Sequence, residues 1–229
     1  MTLQHDFILL DRSGSMQGTM WLEAINSINA YVEKLAADGI DTGVTLVAFD
    51  SNEPSKILRD RITPKSWKKV TNDDAMPRGG TPLNDATGMM LDLAERGAPW
   101  GTKYDKVSIV IVTDGEENAS QEYRGSEGAQ KIKFRLNALR ERGWQVTYLG
   151  ANFDNQKQAA TYGATLSGTV QTSAANFAGT MRAMAGKRGL YATGAGDMSW
   201  TAHEQSMAKS QTKTSLGDTP DTSDQTESA

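Results

Sequence analysis

The most constraining stretch of this chain is Phe7-Ile8-Leu9-Leu10-Asp11-Arg12-Ser13-Gly14-Ser15, where four large apolar residues run straight into an acid and two hydroxyls. An apolar run without polar alternation suits a strand covered on both faces, as in a parallel sheet. Asp-x-Ser-x-Ser then sits at the strand's carboxyl end, the edge at which open α/β sheets bind ligands. Taken alone, the loop is compatible with a nucleophilic aspartate, a hydrogen-bonded turn or a set of oxygen ligands.

The same design recurs at Val107-Ser108-Ile109-Val110-Ile111-Val112-Thr113-Asp114-Gly115, a β-branched run that again ends in an acid. Between the two, Trp21, Ala24, Ile25, Ile28, Tyr31, Val32 and Leu35 keep helical spacing, and Gly39 follows as a stop. Val44 to Phe49 reads as a strand. A turn at Asp50-Ser51-Asn52-Glu53-Pro54 leads to a charged extended run from Lys56 to Ile62, expected as an antiparallel edge strand. Residues 63 to 80 are polar and irregular, with one short helix expected near Trp67. Gly79-Gly80-Thr81-Pro82 introduces a helix that carries Leu83, Ala86, Met90, Leu91 and Ala94 inward and stops at Gly97.

After the second acid, a basic helix with Ile132, Leu136 and Leu139 inward should close at Gly143. A strand over Trp144 to Leu149, a short helix over Asp154 to Tyr162, a last strand over Ala164 to Val170 and a closing helix over Ala174 to Gly186 follow. Strands alternating with helices at this spacing predict an α/β fold: a doubly wound, mostly parallel six-stranded sheet with one antiparallel edge strand and helices on both faces.

The 229 residues suffice for one well-cored domain, expected over 1–188. A glycine-containing extension over 189–208 could hold a short helix begun by Thr201-Ala202-His203-Glu204. A polar stretch over 209–229 has almost nothing to bury and is expected to be disordered.

Composition removes several functional classes. There is no cysteine, so disulfides, thiolate metal sites and thiol catalysis are excluded, and only His5 and His203 could serve an imidazole-based site. The formal charge of −4 argues against a general affinity for nucleic acid or anionic membrane, and no apolar run is long enough to span one. With no leader read at Met1, a cytoplasmic location is expected for a microbial or viral protein. Neither phosphate-binding glycine motif nor a Gly-x-Ser-x-Gly elbow occurs.

Three loops are therefore expected at the carboxyl edge of the sheet, bearing Asp11, Ser13 and Ser15, then Thr81, then Asp114. Hydroxyls and carboxylates without histidine or thiolate select a hard cation, and Mg2+ or Mn2+ suits this set better than Ca2+. Each residue also has an ordinary reading: Thr81 before Pro82 as a helix cap, the serines as turn hydroxyls, Asp114-Gly115 as a turn.

In order, spacing and strand context, these residues resemble the signature of the von Willebrand factor type A domains, with their metal-ion-dependent adhesion site. The resemblance covers roughly residues 5 to 188. It implies a Rossmann-like fold in which Ser13, Ser15 and Thr81 touch the metal directly, while Asp11 and Asp114 act largely through water. It further implies a non-enzymatic module that captures a Glu or Asp of a protein partner, such as an ATPase or a multi-protein complex.

Two other functions compete. Asp11 at the end of a first strand also resembles the nucleophile of haloacid dehalogenase-like phosphatases, although Ser13 stands where those enzymes carry a second acid. Alternatively, the domain is a structural or assembly component whose metal is mainly stabilising.

Overall fold

The computed structural model describes residues 2–97, 102–151, 161 and 166–210. Its centre is β1 (Gln4–Asp11), flanked in parallel by β2 (Gly43–Phe49) and β4 (Lys106–Thr113). β3 (Lys56–Ile62) lies antiparallel outside β2, and β5 (Gln145–Ala151) and β6 (Thr169–Thr172) extend the sheet in parallel beyond β4. The order is β3-β2-β1-β4-β5-β6, the six-stranded sheet with one antiparallel edge that the sequence predicts.

The apolar strands split their side chains between two cores, as the two-residue repeat of a strand requires. Ile8, Leu10, Val110 and Val112 join α1 (Thr19–Ala37) and α4 (Phe177–Thr193) on one face. Phe7, Leu9, Ile109 and Ile111 join α2 (Leu83–Arg96) and α3 (Gly125–Glu141) on the other. Among the described residues no helix is long and apolar enough to cross a membrane.

Local differences from expectation fall in the last third. Of the strand expected over Ala164 to Val170, Leu166–Gly168 form a 3-10 turn and β6 begins at Thr169, while 164 and 165 lie outside the described residues. Ser167-Gly168 is a turn-forming pair, and the β-branched residues that favour extension start only beyond it. The closing helix starts later and runs further than expected, through Lys187 to Thr193, so the domain boundary expected at residue 188 falls inside α4. Its extra turns are held by burial of Arg188 and Tyr191 and end at Gly194, whose φ of 79° is left-handed. Thr201 and Glu204 form a reciprocal capping box that opens α5 (Ala202–Lys209). Near Trp67 the helix is only a 3-10 turn over Pro64–Ser66, and the Trp67 indole donates to Asn29 Oδ1 at 3.0 Å. The expected helix over Asp154 to Tyr162, apart from Thr161, lies outside the described residues, as do Trp100 and the stretch from 211 onward.

At the amino end of β1, Asp6 is fully buried and accepts from Arg188 Nε and Tyr31 Oη at Oδ1 (2.8 and 2.9 Å) and from Thr42 Oγ1 at Oδ2 (2.7 Å). Arg188 also donates to Gln4 Oε1 at 3.0 Å and stacks 5.4 Å from the Tyr191 ring centre. This pair fastens α4 to the sheet. Replacing Arg188 with Met strands a buried carboxylate and should cost about 3–5 kcal/mol in urea unfolding. Adding Asp6→Asn to that variant should recover part of the loss.

Next to it, burial lowers the His5 pKa to about 4, so the fold keeps the imidazole neutral. The unfolded chain binds the extra proton between pH 6.5 and about 4, so His5 subtracts stability as pH falls through that window, by on the order of 3 kcal/mol in full. Asp11, raised to about 6, acts with the opposite sign. The comparison with His5→Gln isolates the histidine: the variant should lose less stability than wild type between pH 6.5 and 5.

Candidate metal centre

β1 ends on Asp11, whose carboxylate is completely buried. Oδ1 accepts from the backbone N–H of Ser13 at 2.7 Å, which folds the chain into a tight turn, and Oδ2 accepts from Thr113 Oγ1 at the end of β4 at 2.6 Å. The same side chain thus shapes the first loop and ties it to the third. Beyond the turn, the Ser13 and Ser15 hydroxyls lie 3.0 Å apart, and Ser15 Oγ donates to Asp114 Oδ1 at 2.8 Å.

The middle segment is laid alongside by backbone bonds. Gly14 N–H donates to Gly79 O at 2.9 Å, Arg78 N–H to Arg12 O at 2.8 Å and Ser51 N–H to Gly80 O at 3.1 Å. Gly79 has φ 68°, and a Cβ there would meet Ser51 Oγ at 2.5 Å, so a side chain is excluded by both conformation and space. Thr81 is then fixed through its backbone: its N–H donates to Asn118 Oδ1 at 2.9 Å, and its carbonyl accepts from the Asn118 N–H at 3.1 Å.

Gly115 shows where these segments meet. A Cβ built on it would lie 3.2 Å from Thr81 Oγ1, 3.5 Å from Ser15 Oγ and 3.9 Å from Asp11 Oδ2. Side-chain oxygens of the first and second loops therefore converge on Gly115 of the third, where a Cβ would press on the Thr81 hydroxyl. Asp11, Ser13 and Thr81 form a buried floor, Asp114 is half-buried and Ser15 is exposed at the mouth.

The electrostatics are one-sided. Burial raises Asp11 to about 6, offset only in part by the hydrogen bonds from Thr113 and Ser13, and burial also raises Asp114. Arg12, in the same loop, is turned away to Asp50 (2.7 Å) and Glu53 (2.6 Å). Among the described residues no three His, Cys, Asp or Glu side chains gather as a metal cluster. The donor set is instead two carboxylates and three hydroxyls, which fits a small hard cation. All five residues singled out in the sequence, Asp11, Ser13, Ser15, Thr81 and Asp114, stand on the three loops at this one edge.

A family model described as the von Willebrand factor type A domain matches residues 7–181. The chain belongs to this family. Domains of the family generally mediate protein–protein interaction. No curated protein sequence matches the chain. Solved structures that share the fold include the PilB minor pilin from Streptococcus sanguinis, at TM-score 0.57 and 13% identity over 82% of this chain and 61% of that one. Proximal thread matrix protein 1 from the mussel byssus follows at 0.53 and 16%, over 79% and 46%. The pilus adhesin SpaC from Lactobacillus rhamnosus GG follows at 0.64 and 11%, over 81% and 30%. At these identities the likeness is one of fold alone, and this chain spans less than two thirds of each of those proteins.

Three supports of the candidate site, Thr113, Arg12 and Arg78, were not read from the sequence. Thr113 anchors Asp11, a role that a threonine at a strand end does not advertise. Arg12 is buried with Asp50 in a network that Arg78 completes, donating to Asp50 at 3.0 Å and Glu53 at 2.6 Å. Glu117, three residues after Asp114, caps the segment that follows: it accepts from the N–H groups of Asn84, Ala119 and Ser120 and from Ser120 Oγ, at 2.7 to 3.0 Å. Asp85 at the start of α2 returns the favour by accepting from the N–H groups of Gln121 and Tyr123. On α3, Arg135 is engaged by Asp92 and Glu95, and Lys131 by Glu127.

Because Glu117 holds the Asp114 loop against the helix that follows Thr81, Glu117→Ala should cost about 1–3 kcal/mol. Amide hydrogen exchange should accelerate at Asn84 and Ser120 before the sheet amides respond.

Proposed function

We propose that this domain is a divalent-metal-dependent protein-binding module that captures an acidic residue of its partner. The observation that carries the reading is the convergence of the Thr81, Ser15 and Asp11 oxygens around Gly115. Ser13, Ser15, Thr81, Asp11 and Asp114 would hold Mg2+ or Mn2+. When bound, the ion supplies an electron-poor open position that accepts a carboxylate from another protein. The three hydroxyls would bring no charge to that position, and the two carboxylates would supply the negative charge that retains the cation. Arg12 holds its own loop down without entering the donor set, because Asp50 and Glu53 engage it.

A phosphoryl-transfer enzyme using Asp11 is less well supported. Both Asp11 oxygens are occupied by hydrogen bonds that shape the loop, the carboxylate is buried, and Ser13 supplies no second acid. A purely structural role leaves the open mouth at Ser15 without a purpose. The partner is a protein, an ATPase or a component of a larger complex. Cytoplasmic placement rests on the cysteine-free composition, and the capture chemistry does not depend on it.

Mn2+ should bind in an electron paramagnetic resonance titration, and Thr81→Ala and Gly115→Ala should each weaken it while the metal-free proteins keep wild-type circular dichroism. Affinity capture from the native host should retain its partner in Mg2+ and lose it both in EDTA and with Thr81→Ala. Undiminished capture under both conditions would overturn the reading.

A further inference from the structure

The opposite edge of the sheet, where β1, β2 and β4 begin, carries a polar constellation that the metal centre does not use. Its centre is His5 of β1, only 2% exposed. Phe7 and Tyr104 flank its ring, with centroids 4.3 and 4.6 Å away, so the imidazole presents its edges rather than its faces. On one edge Nε2 lies 2.9 Å from Thr45 Oγ1. That hydroxyl already accepts the Arg61 N–H at 3.1 Å, and its other acceptor, Asp60 Oδ1, is more distant at 3.5 Å, so its proton goes to Nε2. The ring's own proton is then on Nδ1, which has no hydrogen-bond partner among the described residues. A buried donor of this kind calls for an acceptor. Beside it stands a glycine: a Cβ on Gly43 would lie 2.7 Å from Nδ1 and 3.9 Å from the Arg61 Cα. Any side chain at position 43 would close the approach to the ring nitrogen.

His5, Gly43 and Arg61 line one cavity of about 240 Å³, to which Leu3 and Tyr104 supply apolar wall. Sites for drug-sized ligands run to roughly 300–1,000 Å³, so this one suits a single ring. Arg61 is aimed into it by an irregularity of the edge strand. Between two paired positions β2 advances from Val44 to Leu46 while β3 spends one residue more, from Ile62 to Arg59, which is a bulge. Arg61 sits in that bulge with φ 51°, and among the described residues no other non-glycine residue has a positive φ. The Thr45 hydroxyl that holds the bulge through the Arg61 N–H is the one that orients His5. Arg61 Nη1 donates to exposed Asp60 at 2.6 Å, whereas Nε and Nη2 have no partner among the described residues. Asp41, exposed at the rim, disfavours a ligand that carries more than one negative charge.

We propose that this cavity binds a small planar monocarboxylate, whose carboxylate accepts from His5 Nδ1 and from the Arg61 guanidinium while its ring lies along Tyr104. Burial, with help from the Arg61 charge, holds the imidazole neutral, so His5 donates one hydrogen bond and Arg61 supplies the charge. From His5 to Asp11 is six strand steps, about 20 Å. The site is therefore separate from the metal centre and stands whether or not the metal-dependent reading does.

Benzoate is the probe, titrated into the 15N-labelled full-length chain in EDTA so that no metal holds the carboxylate. Before ligand is added, the imidazole nitrogen resonances of His5 should place the proton on Nδ1. Benzoate should then shift those nitrogens and the amides of Gly43 and Arg61. Benzamide, of the same shape without the charge, should bind about tenfold or more weakly. Arg61→Asn accommodates the left-handed backbone and lacks the guanidinium, so it should weaken benzoate by a similar factor while keeping wild-type circular dichroism. Benzamide binding as well as benzoate, or full benzoate affinity in Arg61→Asn, would overturn the carboxylate assignment. A proton on Nε2, or no shift at His5 and Gly43 in wild type, would overturn the site itself.

Discussion

Everything at the candidate site depends on one carboxylate that is used twice. Asp11 draws the Ser13 N–H to one oxygen and the Thr113 hydroxyl to the other, and so fixes the first loop's curvature and its distance from the third loop together. Neither bond would have this effect on a movable base. Asp11 ends the central strand of the sheet, with β2 and β4 paired along its whole length and helices on both faces. The rigidity of the site is therefore inherited from the sheet, and the hydrogen bonds only aim it. The loop that carries Thr81 has no strand of its own to stand on. It borrows position from its neighbours through backbone bonds to Gly14 and Arg12 and through the side chains of Ser51 and Asn118.

What could be read in the sequence follows from this division. The strands were legible because uninterrupted β-branched and aliphatic runs have few other places to go, and the acids at their ends mark the edge where the runs stop. The helices α1 and α2 were legible because their apolar faces repeat at helical spacing and end at Gly39 and Gly97, both with positive φ. Residue pairs that meet only after folding were not. Nothing in the sequence ties Asp6 to Arg188, 182 positions apart, and without that contact the glycines at 186 and 189 read as the end of a helix that in fact continues. The start of β6 was misread for a related reason: hydrophobic pattern alone weighs Leu166 as a strand residue, whereas Ser167-Gly168 imposes a turn. At the site, the five ligand candidates were legible as a set, and their supports were not. Arg12 and Thr113 are named by contacts, not by spacing.

The two ends of β1 pose the same chemical problem and solve it differently. Both carry a fully buried aspartate, the two separated by the four residues Phe7 to Leu10. At the amino end the fold provides a permanent cation, the Arg188 guanidinium, with Tyr31 and Thr42 completing the carboxylate's hydrogen bonds. At the carboxyl end a guanidinium is close at hand on Arg12, yet Asp50 and Glu53 take it, and Asp11 is left with neutral donors. Burial therefore raises Asp11 to about 6, offset only in part by those neutral donors. A second carboxylate, Asp114, lies close enough for its charge to add to the upward push on Asp11. If stability were the only requirement, turning Arg12 inward would neutralise the site. Diverting it leaves the two acids and three hydroxyls of the three loops without a guanidinium among them. On the reading proposed above, an exchangeable cation from solution would be the counter-charge for such an arrangement, and an exchangeable counter-charge, unlike Arg188, could share its remaining coordination with another molecule.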